Sequence, residues 1–393
     1  MKYRMLDALV CPHCGASFRC TVFSTGVRAN AGTLPRVMCT RHCALRNKAL
    51  GPSCPVSAAD CTACYGTEIE HGLLQCACGK WYPVVHGVPR ILPANLLAVS
   101  LSNYPDYLQK FGAQLPEKVA LVKVQDPTDK MKKETMRQFG YEWVTFSDYA
   151  ADNFNEFIHP LKEDFFKGKT GLDVGCGAGR HVHRSSGFGM EMFGVDLSQA
   201  VDSAYENNKE RAHVHILQGD VYHLPFRKDY FDFIYSLGVL HHLPAPLQGF
   251  QKVVPHLKPG GDILIWLYSW SVRKVVLEIA RKITKKLSGR SLYWLALFGA
   301  VIDYGVFVNA YRLLSNMPLA GKAFEKMAPS RIRDYARYDF HVSHTDWYDR
   351  LSAPISNFYT GEQVRAWFDD TLFKSIEIDP VSDFWWRGFG TKK

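Results

Sequence analysis

The fold is decided by the stretch Gly171-Leu-Asp-Val-Gly-Cys-Gly-Ala-Gly-Arg180. An apolar strand leads into three glycines at alternate positions, and a helix begins after them. Because glycine has no Cβ, the backbone of such a turn can approach a ligand closely, and the N–H groups at the helix start can hold a carboxylate. A glycine-rich turn alone is a weak signal, since dinucleotide-binding folds use a similar one. Here the spacing is G-x-G-x-G and an acid, Asp173, precedes it.

Short apolar runs alternate with polar stretches of helix length after this turn. The alternation predicts repeated βα units and a parallel sheet. The expected strands are 171–174, 192–195, 214–217, 231–236, 262–268, 374–378 and 384–390. Residues 257–261 are expected to form the turn into the fifth strand. Thr360 with Gln363 predicts a capped helix before the last two strands.

Acidic residues stand at the ends of the second and third expected strands, at Asp196 and Asp220. An acid at the end of the second strand can accept both hydroxyls of a ribose. Together with the glycine turn, this arrangement resembles the class I S-adenosylmethionine-dependent methyltransferases. The resemblance covers about 166–267 and 346–393. It implies an α/β fold with a Rossmann-like sheet of seven strands, and S-adenosylmethionine as the cofactor.

The same resemblance implies roles for individual residues. Asp173 would face the cofactor's ammonium group through water, and the glycine backbone would face its carboxylate. Asp220 would contact the adenine amino group, and the backbone N–H of Val221 would contact the ring. The full cofactor-binding set that the resemblance implies is Asp173, Gly175, Gly177, Gly179, Asp196, Leu197, Asp220, Val221 and Ser236.

Methyl transfer is an in-line displacement at a sulfonium carbon, so the acceptor must be aligned and a hydroxyl or amine acceptor can need to lose a proton. His241 and His242 follow the fourth expected strand, at the mouth where the acceptor should arrive. Either is a candidate base, with a slight preference for His241. The alternative is a structural or cofactor-packing role. Two aromatic stretches, 139–143 and 347–359, are candidate walls for the cofactor and the acceptor, and core packing is the alternative for the first.

Ten of the eleven cysteines lie between Cys11 and Cys78, and only Cys176 lies outside this segment, where it is expected to be a small filler. The N-terminal sequence lacks the pattern of a secretory signal, so metal binding is favoured over disulfides. The candidate zinc ligands are Cys11, Cys14, Cys76 and Cys78. A second metal ion is left open by the remaining cysteines, namely Cys20, Cys39, Cys43, Cys54, Cys61 and Cys64.

Trp81-Tyr82-Pro83 and the stretch 87–93 follow the second cysteine pair. With the pair Cys11 and Cys14, they resemble the zinc-ribbon family of tRNA-methyltransferase activator subunits. The match departs from that family at Cys76, where the second pair is one residue closer than usual, and in the long connection between the pairs. In that family the ribbon covers an apolar face of a separate methyltransferase. The resemblance therefore implies a zinc-holding clamp fused in cis, and a nucleic-acid-binding finger is the alternative.

The net charge of the chain is +9, and most of it falls within 268–345, which holds thirteen Lys/Arg and five Asp/Glu. Apolar residues recur at helical spacing from Val272 to Leu287 with basic residues between them, which predicts an amphipathic basic helix. A second apolar segment, 292–314, is interrupted by Asp303 and Asn309, so a membrane span is not expected. Residues 268–345 are thus interpreted as a helical lid inserted in the α/β domain.

The predicted divisions are a cysteine-rich module (1–95), a helical linker and cofactor cap (96–165), the first and last parts of the methyltransferase core (166–267 and 346–393) and the lid (268–345). The expected function is cytoplasmic methyl transfer to a small-molecule or lipid-linked acceptor. The basic lid either touches an anionic membrane or keeps its charges in water. An RNA methyltransferase, for rRNA or tRNA, and a non-catalytic cofactor-binding partner subunit are the alternatives. The acceptor atom and the oligomeric state stay open.

Overall fold

The structure is a computed structural model that describes residues 1–27, 39, 42–43, 45–46, 48–50, 58–116, 126–148, 153–270, 273–318, 321–382 and 385–393. The strands in these residues are β1 Arg19–Val27, β2 His42–Cys43, β3 Lys48–Ala49, β4 Thr67–Gln75, β5 Trp81–Val85, β6 Val88–Ile91, β7 Thr170–Val174, β8 Glu191–Asp196, β9 Val214–Gly219, β10 Phe231–Leu237, β11 Leu257–Tyr268, β12 Phe373–Ser382 and β13 Trp385–Lys392.

The α-helices in the same residues follow in chain order. They are α1 Met5–Ala8, α2 Ala58–Gly66, α3 Ala94–Leu101, α4 Pro105–Phe111, α5 Pro127–Thr145, α6 Phe154–Ile158, α7 Glu163–Phe166, α8 Arg180–Gly187, α9 Ala200–Asn208, α10 Pro246–Val253, α11 Arg273–Thr284, α12 Gly289–Ile302, α13 Asn309–Ser315, α14 Gly321–Met327, α15 Ser330–Tyr335, α16 Phe340–Ser352 and α17 Gly361–Arg365. Thr360 and Gln363 form the predicted capping box at the start of α17.

The seven strands expected from the sequence are all present and are neighbours in the order β9-β8-β7-β10-β11-β13-β12. The first five are parallel, and β13 pairs antiparallel with β11. Strands β8 and β9 are almost wholly buried, as continuous apolar runs in a parallel sheet predict. The carboxyl ends of β7, β8, β9 and β10 therefore meet at one edge of the sheet, which is where ligands bind in such folds.

The sheet has eleven strands rather than the seven that were predicted. Strand β6 pairs in parallel with β9, with Arg90 opposite Gln218 and Ile91 opposite Gly219. Strands β5, β4 and β1 then extend the sheet in antiparallel pairs. The cysteine-rich segment thus covers the edge of β9, whose backbone N–H and C=O groups would otherwise lack partners. A second correction concerns residues 257–261, which were expected as a turn and instead begin β11.

A buried ion cluster fixes the N-terminal segment to the α/β domain. The Arg4 guanidinium donates to both carboxylate oxygens of Glu191, at 3.0 and 2.9 Å. Glu191 also accepts from Tyr65 at 2.6 Å, and its carboxylate lies 3.0 Å from the ring of His215. Burial alone would raise the pKa of Glu191, but Arg4 and His215 outweigh it and lower that pKa. A buried carboxylate such as that of Glu191 is costly without a partner. Arg4 supplies this partner, so the α/β domain depends on the N-terminal segment for its stability.

Helices α11 to α15 and the first part of α16 lie between β11 and β12, where the lid insertion was predicted. Helix α16 continues to Ser352 and so crosses the predicted boundary at 345. Helix α12 packs along α16, and Trp347 lies directly against Gly299. In α11 the buried side chains include Arg281 and Thr284, whereas Ile279 and Ile283 are 58% and 69% exposed. The apolar stripe of α11 therefore does not pack on the core at these two positions.

Helices α12 and α13 form one continuous helix, because a π-helical segment, Asp303–Val308, joins them. The helix runs from Gly289 to Ser315, a length of 27 residues, and its length and composition are sufficient to cross a membrane. Asp303, which was expected to oppose a span, is buried and accepts a hydrogen bond from the indole of Trp347 at 3.0 Å. Within the described residues, no other helix is both long enough and apolar enough to cross a membrane.

Candidate functional site

A cavity lies at the carboxyl ends of β7, β8, β9 and β10, as the sheet topology requires. Its wall includes seven of the residues predicted from the sequence to bind the cofactor or act on the acceptor. These are Gly175, Gly177, Asp196, Leu197, Asp220, Val221 and His242. Residues from α5 and Asp349 of α16 complete the wall, so the linker and the part of α16 beyond the predicted lid both contribute to the site.

The glycine turn has the conformation that its sequence requires. Gly175, Gly177 and Gly179 have φ values of 86°, 51° and 81°, a region that side chains with a Cβ rarely adopt. A Cβ on Gly175 would lie 2.4 Å from Val239, and one on Gly177 would contact the indole of Trp143. Gly179 precedes α8 and packs against the neighbouring helix, outside the cavity wall. Its role is therefore to shape the turn.

Asp196 organises the part of the cavity wall beside the glycine turn. One carboxylate oxygen accepts from the backbone N–H of Gly177 at 3.1 Å, and the other accepts from the N–H and hydroxyl of Ser198 at 2.8 and 2.7 Å. Burial raises the pKa of Asp196, and these hydrogen bonds act against that rise. The carboxylate thus ties the glycine turn to the end of β8, in the position where an acid would accept the hydroxyls of a ribose.

Asp173 lies buried beneath the turn and does not line the cavity. Neither carboxylate oxygen has a close hydrogen-bond partner among the described residues; the Tyr235 hydroxyl lies near enough to lower the pKa of Asp173, but its hydrogen bond at 3.0 Å is with Ser185. Burial and the carboxylate of Asp196 raise the pKa of Asp173 well above its usual value. A buried carboxylate with unused acceptor capacity fits a cationic ligand group nearby, such as the ammonium of S-adenosylmethionine.

Asp220 lines the cavity but is already paired with a buried lysine. The Lys132 ammonium on α5 lies 2.7 Å from the Asp220 carboxylate. Burial would raise the pKa of Asp220, yet the contacts with His223 and Lys132 outweigh it, and the net pKa is lowered. An adenine amino group at Asp220 would therefore share the carboxylate with Lys132. Sequence reasoning missed Lys132, because it lies 88 residues upstream of its partner.

Ser236 and His241 are buried away from the cavity wall. The Ser236 hydroxyl donates to the carbonyl of Val174 at 2.9 Å, so it joins two strands. The ring of His241 stacks on Tyr268 with 3.7 Å between centroids. Of the two candidate bases, His242 lines the cavity and His241 does not, so the slight preference for His241 stays a prediction that the cavity wall does not support. The two rings alternate in direction along the short helix at 240–242, a detail that sequence alone does not reveal.

His242 lines the cavity in a defined protonation state. Its Nδ1 lies 2.6 Å from the carbonyl of Ile355. Since a carbonyl can only accept, Nδ1 carries the proton and Nε2 is left as an acceptor. Burial and the nearby Arg281 lower the pKa of His242 to about 3. The ring is therefore neutral at ordinary pH and can accept a hydrogen bond from a bound acceptor.

Helices α5 and α16 supply further wall residues that the two aromatic stretches only partly indicated. Phe139 and Trp143 of α5 line the cavity, whereas Tyr141 between them points outward and packs on Tyr348 of α16. Asp349 of α16 also lines the cavity and accepts a hydrogen bond from Tyr268 at 3.3 Å. Burial raises the pKa of Asp349 against the opposing effect of two arginines. A cavity carboxylate with a raised pKa is suited to accepting a proton.

The four predicted metal ligands come together on the N-terminal module. Their sulfur atoms all lie within 4.8 Å of one another, with 3.7 Å between Cys11 and Cys78 and 3.3 Å between Cys14 and Cys76. Tetrahedral zinc with thiolates at about 2.3 Å requires sulfur atoms roughly 3.8 Å apart. The close spacing of Cys76 and Cys78 is therefore compatible with one four-cysteine site. The donor set fits zinc.

The other cysteines do not form a comparable group in the part of the chain that the structure describes. Cys20, Cys39, Cys43, Cys61 and Cys64 are free thiols there, and no three of them reach ligand range of one another. Burial raises the pKa of the Cys39 and Cys64 thiols to about 12. Cys54 lies outside the described residues. A second metal ion stays a prediction.

Comparisons with known proteins identify the part of the chain that holds the cavity. Residues 172–265 match the family described as methyltransferase domain. The chain therefore contains a methyltransferase domain, which agrees with the glycine turn and the strand order above. The matched residues include β7 to β10 and most of β11, and they exclude the cysteine-rich module and the lid. The resemblance of the module to activator subunits consequently stays a prediction.

Two curated relatives share this domain. Phosphoethanolamine N-methyltransferase 2 of Caenorhabditis elegans is 28% identical over 177 residues, which are 42% of this chain and 40% of the relative. A tRNA U34 carboxymethyltransferase of Pseudoalteromonas translucida is 34% identical over 128 residues, which are 32% of this chain and 37% of the relative. The chain spans about two fifths of the length of these relatives. The similarity therefore does not show that this chain has the activity of either relative.

A solved structure also resembles the chain. The 1,6-didemethyltoxoflavin-N1-methyltransferase of Burkholderia thailandensis, with bound 1,6-didemethyltoxoflavin and S-adenosylhomocysteine, matches with a TM-score of 0.40 and 12% identity. The match covers 69% of this chain and 92% of that one.

Proposed function

We propose that the protein is a cytoplasmic S-adenosylmethionine-dependent methyltransferase for a small-molecule or lipid-linked acceptor. The observation that carries this proposal is the composition of one cavity. The glycine turn, Asp196 and Asp220 form one end of it, and His242 and Asp349 are also part of its wall. The glycine turn, Asp196 and Asp220 suit a nucleoside with an amino-acid tail. His242 and Asp349 suit an acceptor group that must be aligned and deprotonated.

The bound cofactor would supply an electrophilic methyl group on a sulfonium. The protein's own residues hold it in place. The N–H groups at the start of α8 suit its carboxylate, and the buried carboxylate of Asp173 suits its ammonium. Asp196 suits the ribose, while the rings of Phe139 and Trp143 are apolar parts of the wall. Groups held in a fixed cavity favour alignment of the methyl group with its acceptor.

The acceptor would be oriented by His242 and deprotonated by Asp349. The neutral His242 ring offers Nε2 as a hydrogen-bond acceptor, but its pKa of about 3 makes it a poor proton acceptor. Asp349, whose pKa is raised by burial, holds a proton more readily. An acceptor O–H or N–H group would lose its proton to the Asp349 carboxylate as its bond to the methyl carbon forms and the carbon–sulfur bond of the sulfonium breaks, leaving the electron pair on a neutral thioether.

The cysteine module would serve as a structural clamp. Cys11, Cys14, Cys76 and Cys78 would hold one zinc ion, and strands β4, β5 and β6 transmit that constraint to the edge of β9. The module would thus stabilise, within one chain, the sheet that positions Asp196 and Asp220. A closed site with four protein ligands leaves no open position, so the metal has no direct part in methyl transfer.

Replacing Asp196 with alanine tests the cofactor assignment. The change removes the acceptor for the ribose and the tie to Gly177, and charged hydrogen bonds of this kind are worth about 1.5–3 kcal/mol. We therefore expect S-adenosylmethionine to bind roughly 10- to 150-fold more weakly in calorimetry. Glu206→Ala, at an exposed site on α9, is the matched control and should bind normally. Unchanged affinity in a folded Asp196→Ala protein would remove the assignment.

An RNA acceptor is the alternative, since one similar enzyme is named for tRNA. Its similarity to this chain is limited to 128 residues. An RNA-binding groove would be expected to combine exposed basic and aromatic side chains along one surface. Along the lid helix Gly289–Ser315, the stretch from Trp294 to Leu313 exposes aromatic and aliphatic side chains but no basic one. The structure therefore favours the small-molecule or lipid-linked acceptor.

A further inference from the structure

The helix Gly289–Ser315 presents an apolar face to the outside of the molecule. Between Trp294 and Leu313, a stretch that the structure describes in full, Asn309 is the single polar side chain among the exposed residues. Its large exposed apolar residues are Trp294, Leu295, Phe298, Val301, Ile302, Val306, Phe307 and Leu313. At 1.5 Å per residue this face is roughly 30 Å long.

The exposure is substantial at each point along the face. Trp294 is 59% exposed, Phe298 66% and Leu313 73%. Large contiguous apolar surfaces are rare on soluble monomers and mark sites of interaction. The opposite face of the same helix is occupied, since it packs on α16 and buries Leu292 and Ala296. The core-facing side of the helix is thus already filled, and the outward side chains do not belong to the core of this chain.

Positive charge lies next to this apolar face along the chain. Lys282, Lys285, Lys286 and Arg290 are exposed, and they lie at the end of α11, in the turn after it and at the start of α12. Ile279 and Ile283 are exposed beside them. The lid as a whole has thirteen Lys/Arg against five Asp/Glu. Bulky apolar residues with neighbouring lysines are complementary to an anionic lipid surface, whose headgroups attract the cations while its hydrocarbon accepts the apolar side chains.

We propose that this face, with the lysines beside it, docks the protein on the interface of an anionic lipid bilayer. The helix lies along the surface rather than across it, because its other side is fixed to the domain. Asp303 accepts from Trp347, and the Arg312 guanidinium donates to the carbonyls of Ala336 and Tyr338 at 2.9 Å. Crossing the bilayer would break these contacts and bury their polar groups in hydrocarbon.

Docking would bring the cavity close to amphiphilic acceptors. Helix α16, which carries Asp349 into the cavity wall, is the same helix that supports the apolar face from below. A single rigid element therefore joins the docking surface to the acceptor end of the site. For the proposed methyltransferase, this connection favours an acceptor carried by a lipid over one dissolved in water.

Vesicle flotation of the full-length protein, without cofactor, tests the docking. Vesicles of phosphatidylcholine with phosphatidylglycerol should carry the protein at low salt, and vesicles of phosphatidylcholine alone should carry far less. The triple change Lys282→Glu, Lys285→Glu and Lys286→Glu should reduce partitioning by roughly 100-fold or more, since each cation contributes about a fivefold gain near an anionic surface. Changing the exposed Phe298 and Phe307 together to Glu should abolish flotation.

Matched control variants distinguish binding through this surface from effects of the net charge or of exposed apolar residues elsewhere. Lys228, Lys252 and Lys374 are exposed outside the lid, and their joint change to Glu should leave flotation close to wild type. Leu372→Glu, at an exposed apolar site outside the lid, should do the same. Brominated lipids should quench the wild-type fluorescence more than that of Trp294→Phe.

Three outcomes would overturn the docking proposal. The first is a wild-type protein that does not float with anionic vesicles at low salt, including one that self-associates through this face instead. The second is equal flotation by the Phe298→Glu/Phe307→Glu variant. The third is membrane association that resists both high salt and alkaline carbonate, which would show a spanning helix. Because no cofactor is present, none of these results affects the proposed methyl transfer.

Discussion

Asp349→Asn is expected to lower the rate of methyl transfer by about 10²- to 10⁴-fold, the usual contribution of a positioned general base. The substitution keeps the shape of the side chain and its contact with Tyr268 but removes the capacity to take a proton. The affinity for S-adenosylmethionine should be unchanged, because Asp349 is not part of the glycine turn or the strand ends that are proposed to hold the cofactor. Initial rates of label transfer from radioactive cofactor to the acceptor fraction, together with calorimetry, would show this separation.

The pH profile distinguishes this role from a structural one. Asp349 must be deprotonated to act, and burial raises its pKa above the ordinary value. The rate should therefore fall as the pH drops through that raised pKa, and Asp349→Asn should lack this acid limb. His242 stays neutral until about pH 3, so it should add no limb near 6.5. Asp346→Asn on the same helix is the control. A normal rate for Asp349→Asn would exclude the base.

Replacing Cys11 and Cys14 together with serine is expected to have the largest effect on stability. Zinc binding to four-ligand sites of this type is worth about 10–16 kcal/mol at pH 7, which equals or exceeds the usual stability of a whole domain. Because β4 to β6 continue into the main sheet, the loss should extend beyond the module. We expect a melting temperature lower by more than about 10 °C. The wild type should contain at least one zinc per chain by elemental analysis.

Cys20→Ser, on β1 and outside the quartet, is the matched control and should keep both metal and stability. The double variant should contain one metal equivalent less than the wild type, whether the wild type holds one metal ion or two. Two results would contradict the clamp. One is wild-type protein, purified without added metal, with less than about half an equivalent of any metal. The other is an unchanged melting temperature in the double variant.

The features that the sequence predicted correctly are local ones. The glycine turn at 171–180 and the strands around it follow from the spacing of apolar residues within a few positions. The pairing of β6 with β9 was not predicted, because it joins residues more than 120 positions apart and the run 88–91 has no local mark of its partner. The same reason hid the pair of Lys132 with Asp220, where a helix upstream of the core completes a site at a strand end.

The helical spacing of apolar residues in the lid predicts an apolar face, but it does not tell which surface covers that face. The sequence allows the stripe containing Ile279 and Ile283 to be either a packing surface or a membrane surface, and the exposure of both side chains excludes packing on the core at these two positions. Likewise, His241 and His242 are equivalent in sequence. Their separation depends on the direction of two neighbouring side chains, one against Tyr268 and the other toward the cavity. Adjacent residues on a short helix differ in direction by about a third of a turn.

The central claim is methyl transfer from S-adenosylmethionine to a non-nucleic-acid acceptor. The most direct measurement incubates the purified protein with methyl-labelled cofactor and a cell extract, and then divides the product into lipid, small-molecule and RNA fractions. We predict label in the lipid or small-molecule fraction, absent with the Asp196→Ala protein. Label confined to a ribonuclease-sensitive fraction, or no label from a protein that binds the cofactor, would contradict the claim.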